Sequence, residues 1–229
     1  MANPSSASTS ALESLADPAP RLIDAAVMDY FMIEAVEALK HSSSVAAARV
    51  KKAEDEMINA GLLPPPPPPP PHLKKGNLRD SVISNATDKS PPLDDEEEDL
   101  RARLEAIGLH VGTSITERLC HDRPIFSDTL DNIKFICKDL WAACWDKQVD
   151  NLRTNHRGVY VLQDNSFKPV SHVSSWESRA DATRRARMYV ALPAGIIRGA
   201  LLRLGLQGTV VPEINLPQCT FQLKLPKGT

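Results

Sequence analysis

Eight consecutive prolines, Pro64 to Pro71, divide this chain of 229 residues. A proline ring fixes φ and removes the backbone N–H donor, so neither a helix interior nor a central strand can pass through such a run. Polyproline II is the regular conformation open to it, at about 3.1 Å per residue. The acidic run Asp94 to Asp99 follows. We therefore predict a low-complexity insertion at residues 41–96 that interrupts one folded domain.

The rest of the division follows from composition. Residues 1–20 are rich in Ser, Ala and Pro and are predicted to be a disordered tail. Residues 21–40 are predicted to be the first helix and residues 97–229 the main body, while the insertion carries at most a weak helix near 43–61. The insertion is interpreted as a solvated spacer, with a ligand for an SH3-like or profilin-like partner as the alternative.

The first predicted helix carries more apolar surface than one buried stripe requires. Its sequence, RLIDAAVMDYFMIEAVEALK, places Tyr30, Phe31 and Ile33 among several other apolar residues. A helix that is apolar over so wide a surface is buried or docked on a partner.

Two further helices are predicted in the main body. Apolar residues from Leu100 to Leu119 recur at helical spacing, and Gly108 and Gly112 within that stretch would let another backbone approach closely. A long central helix is predicted from Leu130 to Arg153, capped by Asp128 or Thr129.

Strand signals dominate the remainder. Strands are predicted at 158–164, 167–175 and 188–192, then a helix from Pro193 to Gly205, then a strand pair at 208–215 and 219–225. The predicted fold class is α+β, with three to four helices packed on a small four-stranded antiparallel sheet.

The run LRTNHRGVYVLQDNSF holds many chemically capable side chains. His156, Asp164 and Ser166 would supply a base, an orienting acid and a nucleophile, but the run has no G-x-S-x-G elbow. We instead interpret Asn155, His156 and Gly158 as a structural motif that ends the long helix. An enzyme built around His156 is the less favoured reading.

The net charge, the cysteine spacing and the apolar stretches of the chain indicate which ligands and locations are not expected. The net charge of −2 provides no basic field for nucleic acid, and the four cysteines form no C-x-x-C pair, so we predict neither a metal site nor a cofactor. The apolar stretch from Met188 to Leu206 is interrupted by arginines and a proline, so it is not predicted to span a membrane. A basic patch at residues 179–187, in a segment predicted to be a loop or an exposed helical turn, is interpreted as solvated, with an acidic partner or lipid headgroups as the alternative.

Four segments resemble a known family. LEAIGLHVGTSITERL, DNIKFICKDLWAACWDKQVDNLRTNHRGVYVLQDNSF, LPAGIIRGALLRLGL and CTFQLKLPK are similar to the small core subunits of TRAPP, the transport protein particle. The resemblance is to the subunit-six type, known in yeast as the thirty-three-kilodalton subunit. It covers residues 100–167 densely and 188–227 well, and the helix at 21–40 matches in position and character only.

The resemblance implies an α/β-plait fold and a non-catalytic role. Such a subunit would form a heterodimer with the Bet-three-type subunit and help assemble a guanine-nucleotide exchange factor for a Rab GTPase. It would act in ER-to-Golgi and Golgi vesicle transport, as a cytoplasmic protein held at those membranes only through the complex. The family pairs through its first two helices. The anchors expected here, chosen by helical spacing, are Tyr30, Phe31, Ile33, Leu104, Ile107, Val111 and Ile115.

Two consequences of the resemblance stay open. The Bet-three type carries an acyl chain on a cysteine whose position falls near Arg123 in this chain, so we expect Cys120 not to carry an acyl chain. Related prokaryotic domains favour an alternative function, a small-molecule or acyl-chain binding module. That alternative predicts an apolar cavity beneath the long helix, lined by Cys137, Trp141 and Cys144.

Overall fold

The structure is a computed structural model that describes residues 24, 26–64, 95–124, 126, 128–155 and 158–226. The tail predicted at 1–20 and most of the proline run lie outside the described residues. The elements are α1 (Ala26–Asn59), α2 (Asp95–Cys120), α3 (Thr129–Phe135), a π-helical turn (Ile136–Leu140), α4 (Trp141–Trp145), β1 (Asn151–Asn155), β2 (Val159–Asp164), a 3-10 turn (Lys168–Val170), α5 (Arg179–Arg203), β3 (Thr209–Asn215) and β4 (Gln218–Lys224).

The strands form one sheet in the order β1-β2-β4-β3, with every neighbouring pair antiparallel. Alternate residues of β4, among them Phe221 and Leu223, are fully buried beneath the helices. α3, the π-helical turn and α4 follow one another directly and form one helical rod. With α1, α2 and α5, the described residues therefore form four helices and a four-stranded antiparallel sheet. The predicted α+β class and the predicted number of strands are therefore confirmed.

Helix α1 is longer than predicted. It does not end at Lys40 but continues without a break to Asn59, so the weak helix predicted near 43–61 is its second half. Alanines and charged residues with high helix propensity fill this part, and no proline or glycine interrupts it. The domain boundary at residue 41, between the first helix of the folded domain and the insertion, stays a prediction.

Helices α2 and α5 approach until their backbones touch. A Cβ built on Gly112 would lie 2.1 Å from the carbonyl oxygen of Ile196, and one on Gly108 would lie 2.1 Å from that of Leu192. Gly195 of α5 meets the backbone of α2 in the same way. The close approach predicted for the Gly-x-x-x-Gly pair of α2 is confirmed, and its partner is the matching pair on α5.

Helix α5 replaces two predicted elements. Of the two possibilities for residues 179–187, the helical one holds, and residues 188–192 are not a strand, because one helix runs from Arg179 to Arg203 with Pro193 inside it. The Ser178 side chain caps its start by accepting a hydrogen bond from the backbone N–H of Asp181 at 3.1 Å. A short apolar run buried on all sides has the same pattern in a strand and in a helix, which is why periodicity misassigned it.

The long central helix is shorter than predicted. The rod of α3, the π-helical turn and α4 ends at Trp145, where Asp146 adopts a left-handed conformation with φ of 56°. The stretch that follows forms β1, which pairs with β2 from Asn151 opposite Gln163 to Asn155 opposite Val159. The helix predicted to reach Arg153 is therefore wrong over its last two turns.

The strand predicted at 167–175 is also wrong. The chain after β2 forms a 3-10 turn at Lys168–Val170, and Phe167, just before this turn, is buried in the core. Phe167 packs against Trp141, Trp145 and Phe221, with ring centroids 5.2 to 5.7 Å apart. This aromatic cluster joins the helical rod to the sheet.

Candidate partner-binding surface

The first half of α1 presents large apolar side chains to solvent. Tyr30 is 73% exposed, Phe31 57% and Ile33 38%, and Val27 and Met28 beside them are exposed as well. Single exposed apolar residues are normal on a protein surface, but five within seven residues of one helix make this a candidate interaction surface.

The opposite face of α1 fixes its position on the body. Met32 and Val36 are buried, and Leu39 packs partly against the same core. Asp29 lies 3.4 Å from the ring Nε2 of His172, in the segment before α5. Because these contacts hold one face inward, Tyr30 and Phe31 face outward.

Helix α2 contributes less to the surface than predicted. Leu104 is fully buried in the core of this chain, so it cannot be an anchor for a partner. Ile107, one turn further on, is 42% exposed, while Val111 and Ile115 are half-buried against the core. The backbone contact between α2 and α5 determines this orientation. Of the seven predicted anchors, Leu104 must be removed, and the role of the other six stays a prediction.

The predicted helix-end motif is instead a hairpin turn. Asn155 is the last residue of β1, and its side-chain oxygen accepts a hydrogen bond from the backbone N–H of Val159 at 3.0 Å. Gly158 has φ of 81°, a value that suits glycine in a tight turn. His156 lies outside the described residues. The correction follows from the early end of the central helix, since β1 already occupies the place where its last turns were predicted.

Asp164 is a structural carboxylate. Its fully buried side chain accepts hydrogen bonds from the Trp141 indole N–H at 2.9 Å and from the backbone N–H of Ser166 at 3.0 Å, and it pairs with Lys147 at 2.6 Å. These partners hold the rod against the end of β2. The sequence indicated Asp164 only as a possible orienting acid, and the structure places Trp141 and Lys147 around it.

Arginines of the predicted basic patch are used within the chain. Arg179 donates to the side-chain oxygen of Asn215 at 2.9 Å, Arg184 pairs with Glu97 at 3.5 Å, and Arg185 pairs with Asp181 at 2.8 Å. The patch is not a loop but the first turns of α5. Arg184 and Arg185 are thus paired with carboxylates of this chain, whereas Arg179 is held by a neutral oxygen and keeps its positive charge.

The cysteine thiols are protonated at neutral pH. Burial raises the pKa of Cys137 and of Cys144 to about 12, and burial also raises the pKa of the half-buried Cys120. Arg123, near which the resemblance places the acylated position of the Bet-three type, pairs with Asp139 at 2.6 Å. A thiol needs its thiolate form to react, so none of these three is activated.

Trp141 bears on the alternative of a ligand cavity. Its side chain is fully buried, with Trp145 at 4.3 Å and Phe221 at 5.6 Å between ring centroids. Other rings therefore occupy the space beside Trp141 that a ligand would need.

Within the described parts of the chain, no group of three His, Cys, Asp or Glu side chains is placed to hold a metal ion. No helix in those parts is long and apolar enough to cross a membrane.

Two surface features escaped the sequence patterns. Trp176, in the loop before α5, is 91% exposed, the highest value among the exposed large apolar residues. A groove of about 510 Å³ lies between α1, the start of α2 and the start of α5, with Val36, Leu100 and Met188 among its lining residues. No local pattern marks either feature, because both arise where separate segments meet.

Comparisons with known proteins agree on one family. A model described as "Transport protein particle (TRAPP) component" matches residues 28–226. "Trafficking protein particle complex subunit 6B" of Homo sapiens is 43% identical over 126 residues, which cover 55% of this chain and 78% of that protein. An uncharacterized protein of Schizosaccharomyces pombe is 36% identical over 168 residues, 73% of this chain and 64% of that one.

A solved structure was also matched. It is a trafficking protein particle complex subunit 3 from Naegleria fowleri, covalently bound to palmitic acid. The match has a TM-score of 0.48 at 14% sequence identity, and it covers 57% of this chain and 82% of that one.

Proposed function

Since this chain belongs to the transport protein particle (TRAPP) component family, as a subunit-six-type member, we propose that it forms a heterodimer with a Bet-three-type subunit. A TRAPP subunit works with other subunits of its complex, so at least one partner surface is required. The finer identity of the partner and of the surface is the proposal.

The observation that carries this proposal is the exposed apolar surface at the start of α1. Phe31 leaves more than half of its side chain in water, and Tyr30 leaves nearly three quarters. Buried aromatic anchors contribute much of the binding energy at protein interfaces. A partner that covers these two rings would remove from water the apolar surface that the isolated chain leaves exposed.

The second helix supplies the other side of the proposed surface. Ile107 is exposed on α2, and Val111 and Ile115, which follow it at helical spacing, are half-buried. Helices α1 and α2 are neighbours in the fold, since both pack on the same core. We propose that a pair of helices from the partner packs across them.

In this proposal the chain's role is architectural. The heterodimer would help assemble a guanine-nucleotide exchange factor for a Rab GTPase, in ER-to-Golgi and Golgi transport, and the chain would reach those membranes through the complex. The best placed buried carboxylate, Asp164, is used to hold the rod on the sheet, which supports a structural rather than a catalytic role.

The first test is co-expression with a Bet-three-type subunit, followed by size-exclusion chromatography with light scattering. The wild-type chain is expected to elute as a one-to-one heterodimer. A Phe31→Glu, Ile107→Glu double variant is expected to lose the partner, because both changes place a charge in the proposed contact. Leu202→Glu is the matched control, since Leu202 is also helical and is 55% exposed, on α5.

Three results decide the proposal. Loss of the partner in the double variant and retention in the control support the pairing surface. Equal retention in both variants contradicts the surface, and a wild-type chain that ignores the partner contradicts the heterodimer. Nucleotide exchange on a Rab by the assembled core, with and without this subunit, then tests the assembly role separately.

A further inference from the structure

The half of α1 that carries the exposed rings is acidic. Residues 26–39 contain Asp29, Glu34 and Glu37, and they include no lysine, arginine or histidine. Asp29 is turned toward the body of the protein, where its carboxylate lies 3.4 Å from the ring Nε2 of His172. Glu34 and Glu37 are exposed. Two negative charges and no positive one therefore lie on the outward side of this half of the helix.

Glu34 lies among the exposed rings of this surface. Residues three and four positions apart are neighbours on a helix, and the neighbours of Glu34 are Tyr30, Phe31, Glu37 and Ala38. Two of them are the exposed rings, the third has the same charge, and the fourth carries only a methyl group. Within the part of the chain that the structure describes, no lysine, arginine or histidine forms an ion pair with Glu34 or Glu37. Glu34 is therefore a charge without a counter-charge in an apolar surface.

A partner that covers the two rings changes the environment of this carboxylate. An apolar contact over Tyr30 and Phe31 also removes Glu34 from water, because Glu34 lies one helical turn from both rings. An ion that leaves water without a counter-ion costs more free energy than the burial of one aromatic ring returns. Glu34 and Glu37 also repel each other across three residues. A cation supplied by the partner offsets both effects, so this surface fits a partner that carries one there.

Of the two permanent side-chain cations, arginine fits this place best. Its guanidinium donates two parallel hydrogen bonds to one carboxylate, a geometry that the ammonium group of lysine does not have. Its flat face also packs on aromatic rings. Glu34, with Tyr30 and Phe31 beside it, offers one carboxylate and two exposed rings within a single turn of helix. Lysine would supply the charge without the paired hydrogen bonds.

We propose that the Bet-three-type partner places an arginine against Tyr30 and Phe31, where it pairs with Glu34, and that this pair selects the partner. This pairing presupposes the proposed heterodimer and adds the chemistry of the partner's surface. A surface with a carboxylate or only apolar side chains at that place is rejected, because it would bury two like charges or an unpaired one. A second copy of this chain fits poorly if it presents the same half of α1, since residues 26–39 bring no lysine or arginine.

The test uses the full chain and a purified Bet-three-type subunit, with association and dissociation rates measured by biolayer interferometry at low and at high salt. Glu34→Gln removes the charge and keeps the shape of the side chain. Glu54→Gln is the matched control, because Glu54 is exposed on the second half of the same helix. Glutamine and glutamate have similar helix propensities, and circular dichroism checks that both variants keep the helix content of the natural chain.

Glu34→Gln is expected to raise Kd at least about tenfold, mainly through faster dissociation, because the partner's arginine would stay buried without its counter-charge. The difference should persist at high salt, since a buried pair is screened little. Glu54→Gln is expected to leave Kd within about twofold of the natural value. Exposed arginines of the partner are then replaced by glutamine one at a time. One replacement should raise Kd for the natural chain and have little further effect on Glu34→Gln, as a double-mutant cycle would show.

An equal Kd for Glu34→Gln and the natural chain overturns the pairing and leaves the heterodimer standing. An effect confined to association that disappears at high salt overturns it too, because it assigns Glu34 to long-range attraction from the rim of the contact. The same holds for an equal effect of Glu54→Gln, and for a cycle in which every partner arginine acts independently of Glu34. A natural chain that does not bind the subunit at all contradicts the proposed function itself, and the pairing falls with it.

Discussion

Substituting Gly112 by alanine separates local preference from tertiary packing, because the two predict opposite signs. In a helix interior, alanine is favoured over glycine by about 1 kcal/mol, so propensity alone predicts a more stable protein. In the structure, the added Cβ would lie 2.1 Å from the carbonyl oxygen of Ile196 and 2.7 Å from its Cα. Non-bonded heavy atoms prefer separations of about 3.5 Å, so α2 and α5 must move apart by about 1 Å.

The magnitude follows from which atoms obstruct the methyl group. Overpacking a core costs about 1–3 kcal/mol, and the upper end applies here because the obstacle is the backbone of a second helix. Subtracting the propensity gain of about 1 kcal/mol leaves a net loss of about 2 kcal/mol. For a chain of this size that corresponds to a fall of about 4–8 °C in Tm.

Thermal and urea unfolding of the full chain, followed by circular dichroism, measure this loss. Ser114→Ala is the control, since Ser114 is exposed two residues further along α2, and its change is expected to stabilise the helix by a few tenths of a kcal/mol, about 0.5 at most. A Gly112→Ala chain that is as stable as the natural one, or more stable, would refute the close backbone packing of α2 on α5.

Three further predictions concern single contacts. Ser178→Ala removes the cap of α5 and is expected to lower the free energy of unfolding by about 1 kcal/mol, measured by urea titration. Asp164→Ala leaves the buried indole N–H of Trp141 without an acceptor and is expected to cost about 3 kcal/mol, whereas Trp141→Phe in the same background should cost less than it does in the natural chain, as a double-mutant cycle would show. The backbone N–H of Asn165, followed by a nearby lysine, lowers the pKa of Asp150. A lowered folded-state pKa adds stability that is present above the unfolded pKa, near 3.9, and is lost as the pH falls through the folded value. Unfolding midpoints of Asp150→Asn and of the natural chain should therefore differ at neutral pH and converge in acid, and a constant difference would contradict the assignment.

Local sequence patterns were sufficient to predict an element or a contact where a single pattern dominates the segment. The periodicity of α1 and α2 predicted their existence, and the β-branched runs predicted β2, β3 and β4. The Gly-x-x-x-Gly pairs predicted a close helix contact, because glycine spacing of this kind has few other uses. The exposure of the proposed anchors was predicted only in part, since Phe31 and Ile107 are exposed as expected and Leu104 is not.

Local signals failed where two conformations share one pattern. Residues 188–192 are apolar and compact, and the same run fits a buried strand or one turn of a buried helix. Residues 151–155 continue the helical spacing of the preceding rod, yet they form β1, an edge strand that pairs with β2 along its whole length. The left-handed turn at Asp146 then ends the rod about two turns earlier than its periodicity indicates.

By itself, the sequence determined the α+β class, the family, the proline run that no helix or strand can cross, and the apolar excess of α1. Only the tertiary structure decided which of those apolar residues face water. Leu104 and Ile107 lie three residues apart with the same hydrophobic character, but one is fully buried and the other is 42% exposed. Helical spacing gives the relative angle between two side chains, whereas exposure depends on the rotation of the whole helix. The backbone contact of α2 with α5 sets that rotation, and it involves residues more than eighty positions away in the chain.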